Sequence, residues 1–280
     1  MAQPASPAPA AVPREPSHPT ALRRIVCGVD GSPRSLAATV LAARLIDADG
    51  TLTLIAALDG WNPIAPEVTG AERVSEADSR PRATLALAAA ERAASRSQAT
   101  IGSAIRGGWA PRVLLDEAEA REATLIAVGM HDRSRQAGYL LGTVATAILH
   151  DARSSVLLAR SAAVRRVVVG LDGSTQSLDA LALARVLSTR LDASLLAVCA
   201  TGGKPIDLPA VRAQIGDDLH VDPRPPVVAL AAAAASAELL VLGSRGRHGV
   251  RTLGSVSERV AHRAPSSVLI YRKRASITHP

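Results

Sequence analysis

The apolar residues of this 280-residue chain fall into short continuous runs that alternate with longer segments of helical periodicity. Short runs rich in β-branched residues predict buried strands, whereas apolar residues recurring every three to four positions predict amphipathic helices. In the first half, the predicted strands are 24–29, 51–58, 101–106, 125–129 and 155–160. The predicted helices between them are 36–46, 82–97, 111–121 and 142–150. Strands separated by helices indicate right-handed βαβ crossovers, and therefore an α/β fold with a parallel sheet.

The second half repeats the first. Residues 23–45 read RRIVCGVDGSPRSLAATVLAARL and residues 165–187 read RRVVVGLDGSTQSLDALALARVL, with more than half of the aligned positions identical. Near the ends of the copies, HDARSSVLLAR (150–160) matches HRAPSSVLIYR (262–272). Self-similarity on this scale indicates a duplicated structural unit. The sequence therefore predicts two tandem domains, at 21–160 and 161–280.

The second copy is shorter in its middle. Its predicted strands are 166–171, 194–200, 239–243 and 267–271, and its predicted helices are 178–191, 227–237 and 254–264. Asp172 and Gly243 are closer in sequence than their counterparts Asp30 and Gly129. We therefore expect the second helix of this copy to be small or missing, replaced by the Gly/Pro/Asp-rich segment 201–226.

Targeting and redox signals favour a cytoplasmic protein without a membrane partner. Residues 1–20 are rich in Ala and Pro, lack the apolar segment of a signal peptide, and are expected to form a disordered tail. No apolar run reaches the roughly 18 residues that a membrane-spanning helix needs. Cys27 and Cys199 each lie inside a predicted strand, which makes neither a disulfide framework nor a metal cluster.

The charge favours a small anionic ligand. The formal net charge is +7 and the sequence pI is about 10.5, which raises the expectation of anionic partners. The chain has two Trp, two Tyr and no Phe, whereas proteins that bind single-stranded nucleic acid usually stack bases on aromatic side chains. The composition therefore argues against nucleic acid as the partner.

One candidate constellation follows the first strand of each copy. It consists of an Asp-Gly-Ser sequence, at Asp30, Gly31 and Ser32 and again at Asp172, Gly173 and Ser174. Ligands of open α/β sheets bind at the carboxyl ends of the strands, where a carboxylate can accept a hydrogen bond from an adenine amino group or a ribose hydroxyl. Capping of the first helix explains the same residues equally well.

A second constellation follows the fourth predicted strand of the second copy. The segment contains Gly243, Arg245, Gly246 and Arg247, and a helix then opens at Gly254, Ser255 and Val256. Glycines allow backbone N–H groups to approach a phosphate, a helix N-terminus supplies oriented donors, and arginines add positive charge. An ordinary Gly-rich loop with solvated arginines is the alternative.

Enzymatic motifs are missing from the sequence. It contains no phosphate-binding Gly-x-x-x-x-Gly-Lys-Ser/Thr, no Gly-x-Gly-x-x-Gly, no Gly-x-Ser-x-Gly and no His-Glu-x-x-His. His150 and His262 are interpreted as helix-end residues rather than as general bases. The sequence thus identifies no catalytic residue.

Taken together, the V-G-V/L-D-G-S opening, the G-S-R-G-R loop, the G-S-V helix start and the S-S-V-L-I closing strand resemble the universal stress protein family over about residues 21–275. The resemblance implies two doubly wound (Rossmann-like) domains, each with a five-stranded parallel sheet. It also implies that ATP or a related adenine nucleotide binds, with or without Mg²⁺, and it implies no established turnover. Asp30 and Asp172 match the family's adenine-side aspartate.

The family's nucleotide motif is Gly-x-x-Gly, nine residues, then Gly-Ser/Thr, and each copy departs from it differently. In the second copy it matches Gly243, Gly246, Gly254 and Ser255, with seven intervening residues instead of nine. In the first copy it matches Gly129, Gly142 and Thr143, but Asp132 replaces the second glycine. A carboxylate there would repel phosphate, so the second copy is expected to be the better site.

The resemblance leaves several functions open. The chain is expected to be an ATP-binding regulator of a stress response, a cyclic AMP binder, or an interaction protein of the same fold that needs no nucleotide. At most a weak ATPase activity is expected.

Because 155–160 and 267–271 would otherwise be exposed edge strands, the two copies are expected to pack there as an intramolecular pseudo-dimer, with or without further homodimerisation.

Overall fold

The structure, a computed structural model, describes residues 21–58, 76–130, 141–215, 218–244 and 255–273. The expected disordered tail over 1–20 lies outside this part of the chain.

The first copy alternates strands and helices as the pattern predicts. Its strands are β1 (Arg24–Gly28), β2 (Thr51–Leu58), β3 (Thr100–Gly107), β4 (Leu125–Gly129) and β5 (Ser155–Ala159). Its helices are α1 (Pro33–Leu45), α2 (Glu76–Ala94), α3 (Ala110–Ala120) and α4 (Thr143–Asp151). The expected start of α2 at 82 was wrong, because the helix continues through Pro81 rather than beginning after it.

The second copy has the same order of elements. Its strands are β6 (Arg166–Leu171), β7 (Ser194–Ala200), β8 (Leu219–Asp222), β9 (Leu239–Gly243) and β10 (Ser267–Tyr271). Its helices are α5 (Thr175–Leu191), α6 (Leu208–Ile215), α7 (Pro226–Ala234) and α8 (Ser255–Arg263). Segment 201–226 holds the small helix α6, as expected, and also the four-residue strand β8, which the sequence pattern did not predict.

The ten strands form one sheet in the order β3-β2-β1-β4-β5-β10-β9-β6-β7-β8. Neighbouring strands within each copy are parallel. The strand order reverses between β1 and β4 in the first copy and between β6 and β9 in the second. Five parallel strands per copy confirm the predicted fold class, and the reversals mark where ligands bind in open α/β sheets.

The copies meet at β5 and β10, which pair antiparallel. Leu157 lies opposite Leu269, its own counterpart in the repeat, and Leu158 and Val156 lie opposite Val268 and Ile270. The pairing is therefore symmetric about its central residue pair. Neither β5 nor β10 forms an outer edge of the sheet, because each pairs with a strand on both sides.

Helices cover both faces of the sheet. On one face α1, α2 and α5 pack with residues such as Leu41, Leu87 and Leu187. On the other face α3, α4, α7 and α8 pack a second layer. Strands such as β1 and β4 contribute to both cores in alternation, because successive side chains point to opposite faces. Both cysteines are buried, as their positions in strands predicted.

Candidate functional site

Each copy turns sharply from its first strand into its first helix at the Asp-Gly-Ser sequence. In the first copy the Ser32 N–H donates to Asp30 Oδ1 at 2.8 Å, and Gly31 has a φ of +81°. The turn at 172–174 repeats this bond at 3.0 Å with a glycine φ of +77°. Glycine adopts this left-handed conformation at little cost, which explains its place in both turns.

The serine of each turn caps the following helix. Ser32 Oγ accepts the Ser35 N–H at 3.1 Å, and Ser174 Oγ accepts the Ser177 N–H at 3.3 Å. The capping interpretation is therefore confirmed. The aspartates themselves are exposed, and a carboxylate can accept about four hydrogen bonds. Their role as ligand acceptors stays a prediction.

The fourth strand of each copy ends on a glycine that touches the first helix. A Cβ on Gly129 would lie 2.5 Å from the carbonyl carbon of Arg34, and a Cβ on Gly243 would lie 2.2 Å from the carbonyl oxygen of Gln176. No side chain fits at either position without a backbone shift. This contact gives a structural reason for both glycines that the sequence did not indicate. It also brings the end of the fourth strand beside the first turn of the helix that follows Asp-Gly-Ser.

Helix α4, which follows β4, begins without a side-chain cap. Gly142 is its N-cap, with φ −65° and ψ 161°, and within the described part of the chain no side chain accepts from its first turn. A Cβ on Gly142 would meet no described atom within 4 Å, and the first turn contains no acidic residue. Thr143, the first helical residue, is exposed. Unsatisfied N–H groups and the positive end of the helix dipole favour an anion at this position.

The corresponding helix of the second copy, α8, begins at Ser255, and half-buried Val256 packs against the second core. Its first turn contains Glu258. Several predicted site residues lie outside the described residues, namely Arg245, Gly246, Arg247, Gly254 and, in the first copy, Asp132.

Ser244, directly after β9 at the carboxyl edge of the sheet, is a polar residue that the sequence analysis did not single out. Its backbone N–H donates to the carbonyl of Tyr271 at 2.9 Å. Its hydroxyl is buried and finds no hydrogen-bond partner among the described residues. Leaving a hydroxyl in this state costs about 1–3 kcal/mol, so the position favours an additional polar atom nearby. Comparison of the repeats offers a signal for it, since the first copy has Met130 here.

A second missed residue is Arg34, in the first turn of α1. Its Nη1 donates to the carbonyl oxygen of Arg160, the residue after β5. The side chain therefore extends along the carboxyl edge of the first copy, where the second copy has Gln176. The two candidate sites consequently differ in charge as well as in sequence.

The two histidines of the repeat lie near helix ends, as predicted. His150 and His262 are in the last turns of α4 and α8. His150 Nε2 is 3.0 Å from Glu258 Oε1, so this contact joins the copies. Burial lowers the pKa of His262. Both residues lie at the opposite ends of their helices from the candidate site.

The described ranges contain neither a candidate metal cluster nor a membrane-spanning helix. No group of three or more His, Cys, Asp or Glu side chains there could hold a metal ion. None of the helices in those ranges is long and apolar enough to cross a membrane.

Comparison with known proteins agrees with this geometry. The sequence model of the universal stress protein family matches residues 21–160 and 215–272. A universal stress protein of Mycobacterium tuberculosis is 30% identical over 290 aligned positions, covering 89% of this chain and 96% of that protein.

Solved structures share the fold over the whole doubled unit. A universal stress protein of Archaeoglobus fulgidus has a TM-score of 0.69 at 20% identity, covering 91% of this chain and 98% of its own. A protein of Pseudomonas aeruginosa named as a universal stress protein has a TM-score of 0.68 at 18% identity, covering 91% and 94%. The repeat, the topology and these matches together establish that the chain belongs to the universal stress protein family.

Proposed function

We propose that this protein binds an adenine nucleotide, ATP in the first instance, and acts as a regulator in a stress response rather than as an enzyme. The ligand would lie at the carboxyl edge of the sheet, between the Asp-Gly-Ser turn and the helix after the fourth strand. The observation that carries the proposal is the N-terminus of α4, where no described side chain caps the helix and no described atom lies within 4 Å of a Cβ built on Gly142. A phosphate is the kind of group that such a helix end accepts.

The described residues fit an anionic ligand at this helix end. Three backbone N–H groups of the first turn have no intrahelical partner, and no carboxylate of that turn opposes a negative charge. On the other side of the switch point, the exposed carboxylate of Asp30 can accept a hydrogen bond from a base amino group or a ribose hydroxyl. An adenine nucleotide presents both kinds of group.

The second copy is proposed to be the stronger site. Asp132 places a carboxylate in the phosphate segment of the first copy, where Gly246 stands in the second. At about 4 Å from a phosphate charge, a carboxylate is repelled by roughly 4 kcal/mol at an effective dielectric constant near 20. The buried hydroxyl of Ser244, which has no hydrogen-bond partner among the described residues, also favours a polar ligand in the second copy.

The proposed organisation is two domains, 21–160 and 161–280, arranged as a pseudo-dimer within one chain. The symmetric register of β5 and β10 supports it, because a residue pairs there with its own counterpart in the repeat. In such an isologous contact, the same surface serves both partners.

The competing function is that of an interaction protein that needs no nucleotide. The Asp-Gly-Ser turns favour this function, because Asp30 and Asp172 each already accept a backbone hydrogen bond within their turn. Mass spectrometry of nucleotides released from the purified, denatured protein distinguishes the two functions at once. Titration with ATP, ADP and cyclic AMP then ranks the ligands.

A single variant tests the site itself. Gly142→Asp supplies the missing helix cap, so the free protein is expected to be as stable as wild type or more stable by a few tenths of a kcal/mol. The same carboxylate occupies and repels the anion position, so ATP affinity of the first copy is expected to fall at least about tenfold.

Isothermal titration calorimetry and thermal unfolding measure both effects. Gly102→Asp is the matched control, because it adds the same charge in the middle of β3, where a Cβ also meets no described atom. Unchanged ATP binding in Gly142→Asp, or equal losses in both variants, would contradict a phosphate position at α4.

A further inference from the structure

Two arginines occupy equivalent positions directly after the last strand of each copy. Arg160 follows β5 and Arg272 follows β10, and their exposures are only 7% and 6%. A buried guanidinium is costly unless its N–H groups meet acceptors. Burial lowers the pKa of Arg272 to about 10, so the side chain still carries its charge at neutral pH.

Each guanidinium reaches across the boundary into the other copy. Arg272 donates from Nη2 to the carbonyl of Leu149 at 2.5 Å, and from Nη1 to the carbonyl of Ala152. Arg160 donates from Nε to the carbonyl of Ala264 at 3.2 Å. Ala152 and Ala264 are themselves equivalent positions of the repeat. The two contacts are therefore reciprocal.

The backbone repeats this reciprocity. The Arg160 N–H donates to Ser267 Oγ at 3.0 Å, and the Arg272 N–H donates to Ser155 Oγ at 3.1 Å. Ser155 and Ser267 are buried and begin β5 and β10. Each arginine is thus held at its backbone by one residue of the other copy and reaches a helix of that same copy.

The carbonyls that accept these bonds lie at the C-terminal ends of α4 and α8. Helix C-termini leave carbonyl groups unsatisfied, and a cation there complements the helix dipole. Each helix has nine residues and so extends about 13 Å. The N-terminal end of α4 borders a candidate phosphate position, and the C-terminal ends of both helices are bound by the opposite copy.

We propose that Arg160 and Arg272 are positioning residues that act in trans: Arg272 of the second copy sets the nucleotide affinity of the first, and Arg160 of the first copy sets that of the second. This inference rests on the proposed nucleotide binding. Neither arginine is assigned a contact with the ligand. Each fixes the direction of a short helix whose N-terminal end faces the proposed nucleotide site, and displacements near 1 Å are enough to weaken a preorganised site.

The test is a crossed one. Photolabelling of the full chain with 8-azido-ATP, followed by peptide mapping, reads the two copies separately. Arg272→Met is expected to raise the nucleotide concentration for half-maximal labelling of residues 21–160 about tenfold and to change that of 161–280 less than about twofold. Arg160→Met is expected to do the reverse.

Lysine variants and a surface control complete the design. Arg272→Lys keeps the charge but not the planar fork, so a smaller loss in the first copy is expected, and this variant decides the question if Arg272→Met does not fold. Arg153→Met, which removes an exposed arginine from the same region, is expected to leave both copies unchanged.

The outcomes separate the two proposals. Parallel losses in both copies, a loss within the arginine's own copy, or no loss at all would overturn the assignment in trans while leaving nucleotide binding intact. Absence of any labelling of the wild-type chain by millimolar 8-azido-ATP would overturn the proposed function itself, and with it this inference.

Discussion

Gly129 and Gly142 lie on either side of residues 130–141, and the two positions tolerate a Cβ very differently. At Gly129 the added carbon would stand 2.5 Å from the backbone of α1, whereas at Gly142 it would meet no described atom within 4 Å. The first glycine therefore maintains the contact of strand and helix, and the second leaves room in front of α4. The motif thus contains glycine at both positions, but for two different physical reasons.

Alanine at each position separates these reasons. Gly129→Ala is expected to lower the free energy of unfolding by about 1–3 kcal/mol, because the strand end must move away from α1. Gly142→Ala is expected to cost less than about 1 kcal/mol, since only the helix cap changes. Urea unfolding of both variants measures the difference, and equal costs would show that β4 does not need its close contact with α1.

Among individual residues, the sequence could predict those whose role is local. Ser32 and Ser174 cap helices as their neighbours in sequence indicate. Arg160 and Arg272 resemble ordinary polar residues at the ends of strands, and their acceptors lie more than a hundred residues away. Such a role depends on tertiary structure, so no local pattern reveals it.

At the scale of elements, strands were predicted more accurately than helix ends. The bounds of β2, β4, β6, β7, β9 and β10 agree with the prediction. Continuous apolar runs flanked by turn residues define such buried strands sharply. Helices α1 and α5 begin three residues earlier than expected, because their polar first turns follow directly from the Asp-Gly-Ser caps.

Strand β8 escaped prediction because its four residues carry too little pattern. It forms by pairing with β7. Asp222 at its end binds Arg224, two residues further along the chain. One carboxylate oxygen accepts the Arg224 N–H at 2.9 Å, and the other lies 2.5 Å from the Arg224 guanidinium. These bonds lower the pKa of Asp222 to about 2.

The depressed pKa predicts how this edge responds to acid. A carboxylate whose pKa is lower in the folded state than in the unfolded state stabilises the fold above its unfolded pKa, near 4, and loses that contribution as the pH falls to about 2. The difference in unfolding free energy between wild type and Asp222→Asn is therefore expected to shrink between pH 4 and pH 2.

Chemical denaturation across this range measures the difference. Asp116→Asn, which removes an exposed ion pair with Arg112, is the control. A stability difference for Asp222→Asn that stays constant down to pH 2 would contradict the role of the Arg224 contacts.

At the scale of the whole molecule, duplication joins two sheets into one. Each copy alone would end in a buried apolar strand with an open edge, and pairing of β5 with β10 closes both edges at once. A salt bridge also joins the copies, since Arg190 Nη2 of α5 is 2.5 Å from Asp47 Oδ1, two residues after α1. The outer strands β3 and β8 then remain as the edges of the ten-stranded sheet.

A single copy should consequently seek a replacement for its partner. Residues 21–160 expressed alone expose β5, whose five residues are all buried in the intact chain. The register of β5 and β10 is symmetric, and Leu157 already faces its own counterpart, so a second 21–160 chain can take the place of 161–280. Arg160 and Ser155 would then meet equivalent residues of the second chain.

We expect a homodimer, or aggregation at high concentration, in light scattering after size exclusion. Replacing Leu157 by Lys should shift the same fragment toward monomer, because two charges would be opposed at the centre of the strand pair. A soluble, folded monomer of 21–160 at high concentration would show that β5 does not need a partner.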